Sequence, residues 1–331
     1  MFKLRKMLLI SLFAGLVYLF LAFSLVYLSE PSFEEPLQMS PEELQSTGLN
    51  FEQNYSYTTR QFSTRDGIKL SANCFEVDSD ITILLVHGIL ATSFQLNTTS
   101  GLLREAANAN VIALNLRGHG QSEGAPGNLD YVDQYVDDIN DVVEIIRNRD
   151  PRQKVILAGH SMGGGIAMRY VLKAGVTDVD GYLLYAPALG WEAPTTRKEG
   201  SSDSEEFAKL HLARFIGLTL LNSVGITFLS DKDVLFFNLP EGSPLRTYSY
   251  TSLVSMSPED AAKAFQAVDK PLLVIVGEND EMFYADRFEP LVRQNSDGLV
   301  HVIKEANHNS IHYDVRSLAV VNSWLSEKSS E

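Results

Sequence analysis

The pentapeptide Gly159-His160-Ser161-Met162-Gly163 carries the clearest chemistry in the chain. It follows an apolar run, Lys154–Ala158, that reads as a strand. It precedes Gly164-Gly165 and a stretch that reads as a helix. A serine set between strand and helix sits on a tight turn in strained backbone angles, with its hydroxyl projecting above the sheet. Side chains two residues before and after would collide across that turn, so glycine is needed at 159 and 163. Amides at the start of the helix point at developing negative charge. An idle serine in a glycine-rich turn is the plainer reading of the pentapeptide alone. The flanking strand and glycine run weigh against it.

A serine hydroxyl is a poor nucleophile without a base, and the base needs an orienting carboxylate. On such an elbow the order along the chain is serine, acid, histidine. After the apolar run Pro271–Val276 come Gly277-Glu278-Asn279-Asp280. After Leu299–Lys304 come Glu305-Ala306-Asn307-His308. Asp280 is the candidate acid. Glu278, Glu281 and Asp286 read as solvated loop charges. Of the seven histidines, His87, His119 and His160 precede the acid, His211 falls in an irregular interval and His301 lies inside a strand. His308 is the candidate base, and His312, one helical turn further on, is the runner-up. The tetrahedral oxygen needs two backbone N–H donors. These are assigned to Met162, directly after the serine, and to Ile89, in the loop after Ile81–Val86. His87 and Gly88 shape that loop.

The elements that hold these residues follow from the apolar pattern. Tyr57–Thr64 and Ile68–Phe75 flank Asp66-Gly67, a hairpin signal. Ile81–Val86, Val111–Asn115, Lys154–Ala158, Gly181–Tyr185, Pro271–Val276 and Leu299–Lys304 read as further strands. Asp130–Asn148 has apolar residues at helical spacing, and a helix is expected near Ala285–Gln294. Strands alternating with helices imply an α/β fold: a mostly parallel, twisted sheet with helices on both faces and an antiparallel edge. Between Leu189 and about Ala262 no clean strand appears. This interval, after the sixth strand, reads as an inserted helical cap whose apolar face packs on the sheet or lines an acyl pocket. The expected layout is an α/β core over 56–188 and 263–331, with the cap at 189–262.

The first 28 residues differ from the rest. Lys3, Arg5 and Lys6 lie in segment 1–6, and positions 7–28 carry no charge. Those 22 positions would rise about 33 Å as a helix, enough to cross a hydrocarbon core of roughly 30 Å. A transmembrane signal-anchor explains the full length. A cleaved signal peptide, cut near Ala22-Phe23-Ser24, is the alternative. Basic residues before the span and Glu30, Glu34 and Glu35 after it place the N-terminus in the cytoplasm and the main domain outside it. Residues 29–55, with three prolines, six glutamates and no basic residue, read as an acidic linker.

Composition sets outer limits. The chain has 331 residues, 45% of them hydrophobic, enough for a sizeable core. Its single cysteine, Cys74, allows no internal disulfide and no cysteine-based zinc site. A net charge of -15 argues against a nucleic-acid partner. Mean hydropathy is -0.04, so a membrane segment must be local.

Taken together, these motifs resemble the α/β-hydrolases, in the group of monoacylglycerol lipases, lysophospholipases and S33 serine aminopeptidases. The matching stretches are Val86-His87-Gly88, Asn115-Leu116-Arg117-Gly118-His119-Gly120-Gln121-Ser122, Gly159 to Gly164, Gly277-Glu278-Asn279-Asp280 and His308. They lie within residues 56–328. The resemblance implies the α/β-hydrolase fold, Ser161 as nucleophile, Asp280 as acid and His308 as base. It implies ester or amide hydrolysis without metal or cofactor, and a structural role for Arg117 and His119. The loop Ile89-Leu90-Ala91-Thr92-Ser93 departs from the small residue and Gly-Glu-His that monoacylglycerol lipases carry there. The interval read as the cap carries no motif that ties it to that group either, so acyl specificity is not carried over.

The expected function is therefore a membrane-anchored serine hydrolase acting on a small amphiphilic ester, of monoacylglycerol or lysophospholipid type. A peptidase or amidase is the first alternative, with Asp203, Glu205 and Glu206 as candidates to hold a substrate amine. A non-catalytic binding protein on the same fold is the second. The intact triad speaks against it.

Overall fold

The computed structural model describes residues 2–33, 55–198 and 207–328. Most of the stretch read as a linker, residues 34–54, lies outside them. In chain order the elements begin with α1 (Phe2–Val26), β1 (Thr58–Ser63), β2 (Lys69–Phe75), β3 (Ile81–Val86), α2 (Asn97–Ala107) and β4 (Asn110–Leu114). Next come α3 (Gln134–Arg149), β5 (Lys154–His160), α4 (Met162–Leu172) and β6 (Gly181–Tyr185). Then follow β7 (Ala208–Leu210), α5 (Leu212–Ser223), β8 (Asp233–Phe237), β9 (Thr247–Ser249), α6 (Tyr250–Val254) and α7 (Ala261–Gln266). The chain closes with β10 (Leu272–Gly277), α8 (Phe288–Asn295), β11 (Leu299–Ile303) and α9 (Val315–Lys328).

The described residues form two compact units. The larger holds residues 55–198 and 254–328. Its sheet has eight strands in the order β1-β2-β4-β3-β5-β6-β10-β11. From β4 onward all pairs are parallel, and β1 and β2 form the antiparallel edge. This is the α/β architecture read from the sequence. The central strands β5, β6 and β10 are buried almost throughout. Strands covered on both faces cannot alternate polar and apolar, which is why they appear as continuous apolar runs.

The β1–β2 hairpin closes at Gly67, whose φ of 87° suits a residue without a Cβ. Helix α3 buries Tyr135, Val136, Ile139, Val142, Val143 and Ile146, the stripe its spacing predicts. Its buried acids have partners. Arg117 makes a bidentate pair with Asp138, at 2.9 and 2.6 Å, and reaches Asp66 of the hairpin turn at 2.9 Å. Arg65 bonds Asp141 and Asp137. These forked pairs fix the planar guanidinium groups in position. The Arg117-Gly118-His119-Gly120 turn is thus tied to the sheet edge on one side and to α3 on the other. That gives Arg117 a structural task.

The smaller unit holds α1 with residues 207–253. The sequence predicts a helical cap without clean strands in this part of the chain. The structure corrects this: β7, β8 and β9 form a small antiparallel sheet beside α5. Strands of three to five residues with half-exposed positions carry too few alternations to be visible in a sequence. Helix α1 contains a 22-residue stretch, Arg5–Val26, long and apolar enough to cross a membrane by length and composition.

Candidate active site

The elbow is built by collisions that only glycine avoids. Ser161 lies between β5 and α4 with φ 52° and ψ -115°. A Cβ on Gly159 would come within 2.3 Å of the Gly163 carbonyl carbon, and one on Gly163 within 2.3 Å of the Val86 carbonyl oxygen. Both are far inside contact distance. Gly165 is equally confined, by the carbonyls of Ala188 and Met256. The strained serine is over-determined by its neighbours. Its N–H donates to Tyr185 O at 2.9 Å, and its carbonyl accepts from Ala188 N at 2.9 Å and Gly165 N at 3.0 Å. Ser161 stays partly exposed while Met162 is buried.

Asp280 follows β10 and His308 follows β11, adjacent parallel strands, so both leave the same end of the sheet. His308 Nδ1 lies 2.9 Å from Asp280 Oδ2. The Asp280 side chain is fully buried. Its second oxygen accepts from the backbone N–H groups of Met282 and Phe283, both at 2.8 Å. An ionised carboxylate only accepts, so Nδ1 carries the proton and Nε2 of the neutral ring is left with a lone pair. Phe283 meets the His308 ring edge-on at 5.3 Å, excluding water from that side.

The serine and histidine loops meet through His160. Its Nε2–H donates to the His308 carbonyl at 2.9 Å, and the two rings lie 4.8 Å apart. His312, the alternative base, is buried against the same ring at 4.6 Å and bonded through Nδ1 to Thr99 Oγ1. Burial and the neighbouring imidazoles push His160 well below its ordinary value. Burial pushes His312 down to about 3. Both rings are packing groups held neutral.

The loop after β3 passes directly over the elbow. A Cβ on Gly88 would lie 3.1 Å from His160 Nδ1 and 3.4 Å from Ser161 Cβ. Ile89, whose amide the sequence assigns to the oxyanion, is the next residue. It is partly exposed and is followed by Leu90 at a φ of 59°. His87 fixes the loop from behind: Nδ1–H donates to Gly88 O at 2.8 Å, and Nε2 accepts from Leu116 N at 3.2 Å.

The structure therefore gathers Ser161, Met162, Ile89, Asp280 and His308 at one end of the sheet. It also adds residues that sequence reasoning passed over. Glu281, read as a solvated charge, accepts from the His308 N–H at 3.0 Å, and Glu278 accepts from the Glu305 N–H at 3.0 Å. Arg197 donates to the carbonyls of Phe283 and Asp280 at 3.2 and 3.3 Å, bracing the acid loop. Bonds to backbone atoms far along the chain leave no trace in local sequence. Among the described residues no cluster of side chains is suited to hold a metal ion. The arrangement sets a buried carboxylate–imidazole pair at the end of the sheet that carries Ser161.

Comparison with known proteins agrees with this fold. Residues 78–314 match the family model described as serine aminopeptidase, S33. The AB hydrolase superfamily protein YisY of Bacillus subtilis is 29% identical over 200 residues, 55% of this chain and 68% of that protein. A monoacylglycerol lipase of Mycolicibacterium smegmatis is 32% identical over 111 residues, 33% of this chain; the match spans only 39% of the lipase. In fold, an esterase of Pyrococcus furiosus superposes with a TM-score of 0.55 at 16% identity, over 90% of this chain and 99% of that one. With the family model covering most of the sheet domain, the chain is a hydrolase and belongs to the serine aminopeptidase S33 family of α/β-hydrolases.

Proposed function

We propose that the protein is a membrane-anchored serine hydrolase that cleaves carboxylic esters of lipid-like acyl chains. The bond of 2.9 Å between His308 and the buried Asp280 carries this reading, set beside the strained turn that presents Ser161. In this reading Ser161 Oγ attacks the ester carbonyl carbon while His308 Nε2 takes its proton. Asp280 stabilises the imidazolium. The Ile89 and Met162 amides hold the oxyanion. The tetrahedral intermediate collapses, the leaving alkoxide takes the proton from His308, and the acyl group stays on Ser161. Water, deprotonated by His308, then releases the acid and restores the serine.

The 32% identity to a monoacylglycerol lipase and the apolar N-terminal helix support a lipid-like ester. The family's description favours a second reading, an aminopeptidase. That reading needs carboxylates for the substrate amine, and the candidates Asp203, Glu205 and Glu206 lie outside the described residues. Full-length protein in detergent micelles separates the two. We expect turnover of p-nitrophenyl octanoate and monooleoylglycerol, and none of alanyl-p-nitroanilide. Hydrolysis of the anilide with both esters untouched would overturn the ester reading.

Asp280→Asn tests the role of the acid. The amide oxygen can keep the bonds from Met282 and Phe283, so the NH₂ group would face His308 Nδ1. Nδ1 must then accept, the ring proton moves to Nε2, and the base is lost. A fall in kcat of about 10⁴-fold is expected, with the fold retained. Steady-state kinetics beside a circular dichroism spectrum checks it. A near-normal kcat would remove Asp280 from the mechanism.

A further inference from the structure

Within the smaller unit, α1 does not stand alone. Helix α5 runs antiparallel along its second half. Tyr18 Oη donates to Leu220 O at 2.8 Å and lies 3.0 Å from Ser223 Oγ. Gly217 faces Ala22, where a Cβ would come within 2.7 Å of the Ala22 carbonyl oxygen. Arg214 Nε donates to Val26 O at 3.1 Å, and Ala22 and Val26 are fully buried. Helix α5 thus covers one face of α1 from Tyr18 to Val26.

That pairing conflicts with a lone span. The part of α1 clear of α5 on every side, positions 7–17, rises about 16 Å, roughly half of a hydrocarbon core. If α1 crosses a bilayer while keeping its partner, part of α5 must enter with it. The composition of α5 and its turn fits this. From Phe215 to Ser230 there is no charged residue. Ile216, Val224 and Phe228 are 42%, 54% and 73% exposed, and leucines and phenylalanines of α1 are exposed as well. Polar side chains gather at the other end. Arg214, His211 and Lys209 bond the carbonyls of Val26, Leu28 and Ser32, where the chain would leave the membrane.

The contacts between the helices are those that work in lipid. Hydrocarbon gives no hydrophobic drive for two helices to pair, so close approach at small residues and interhelical hydrogen bonds must do it. Gly217 provides the first and Tyr18 the second. Tyr18 lies near the middle of Arg5–Val26, where a lone span would bury its hydroxyl in hydrocarbon without a partner.

We propose that α5 is a second intramembrane helix, paired with α1, so that residues 216–228 lie in the leaflet on the side of the hydrolase domain. This rests on the reading of α1 as an anchor. The test uses the full chain in phosphatidylcholine–phosphatidylglycerol vesicles. Single cysteines replace Ile216, Phe228 or Phe13 in a Cys74→Ala background, each labelled with an environment-sensitive dye and quenched by spin-labelled lipids. Quenching at all three positions is expected. Quenching at position 13 with 216 and 228 in water would overturn the proposal while leaving the anchor intact. No quenching at any position would overturn both. Gly217→Leu, which forces the helices apart, is expected to lower quenching at 216 and 228 and leave position 13 unchanged. Unaltered quenching at 216 and 228 in that variant would overturn the pairing.

Discussion

Ester turnover by the Ser161→Ala variant is expected to fall about 10⁴- to 10⁶-fold, leaving only what an oxyanion hole and binding supply without a nucleophile. In the proposed mechanism Ser161, His308 and Asp280 act as a unit, and the size of the loss follows from that. With no hydroxyl to deprotonate, the His308–Asp280 pair has no partner and its orientation is worth nothing to the reaction. The loss should be chemical and not structural. Ser161 is held by its backbone, through Tyr185 O, Ala188 N and Gly165 N, and these bonds survive the substitution. Its side chain is only partly buried, and alanine meets the same φ of 52° with the same Cβ. Thermal stability should therefore shift by no more than about 1 kcal/mol. A fluorophosphonate should label the wild-type protein and not the variant. Retained turnover or labelling in Ser161→Ala would place the nucleophile elsewhere.

Why so much of this arrangement is legible in the sequence has a physical answer. The strands that carry the site are covered on both faces, so β3, β5, β6 and β10 stand out as apolar runs. The elbow is legible because glycine is forced at 159 and 163 by backbone, which no rearrangement of side chains relieves. Asp280 and His308 follow neighbouring parallel strands, and chain order alone brings them to one end of the sheet.

What is illegible has equally specific causes. Helix α2 escapes the apolar pattern because the face it buries is Asn97, Thr99, Ser100, Gly101 and Leu103, mostly polar. Strands β7 to β9 are too short to show a period. The contacts of His160 and Glu281 with the backbone of His308 join positions 148 and 27 residues apart, and a backbone partner imposes no residue type. The pairing of α1 with α5 is hidden for another reason. An apolar helix of this length reads as a span whether or not its flank is occupied. Only Gly217 and the hydroxyl of Tyr18 distinguish the two cases.

The second large effect is expected from pH. Four buried imidazoles surround the site and support it in their neutral form. Burial, with the neighbouring His119, pushes His87 from an ordinary 6.5 down to about 3. Burial pushes His119 down to about 4 and His312 down to about 3. His160 moves the same way. The hydrogen bonds give the reason for His87: its Nε2 accepts from Leu116 N, and a proton there would set two donors against each other. The rings also stack in one group of two and one of three, at 4.6 to 4.9 Å, so charging one opposes charging the next. Above the unfolded value of 6.5 these histidines are neutral in both states and the stability they allow is fully present. As pH falls below 6.5 the unfolded chain takes up protons that the folded chain refuses, and stability is lost down to the folded values. At about pH 5 each of His87, His119 and His312 removes about 2 kcal/mol, roughly 6 kcal/mol together, with His160 adding to the loss. That is comparable to the whole stability of many domains. Thermal midpoints of the full chain in micelles should be level above pH 7 and fall steeply between 6.5 and 5. The loss should be cooperative, because His87 and His160 brace the loops carrying Ile89 and His308. His87→Gln, whose amide can replace both hydrogen bonds but takes up no proton, should flatten part of that slope. A midpoint unchanged down to pH 5 would mean that these rings accept protons within the folded protein, and that the neutral cluster does not hold the loops around Ser161.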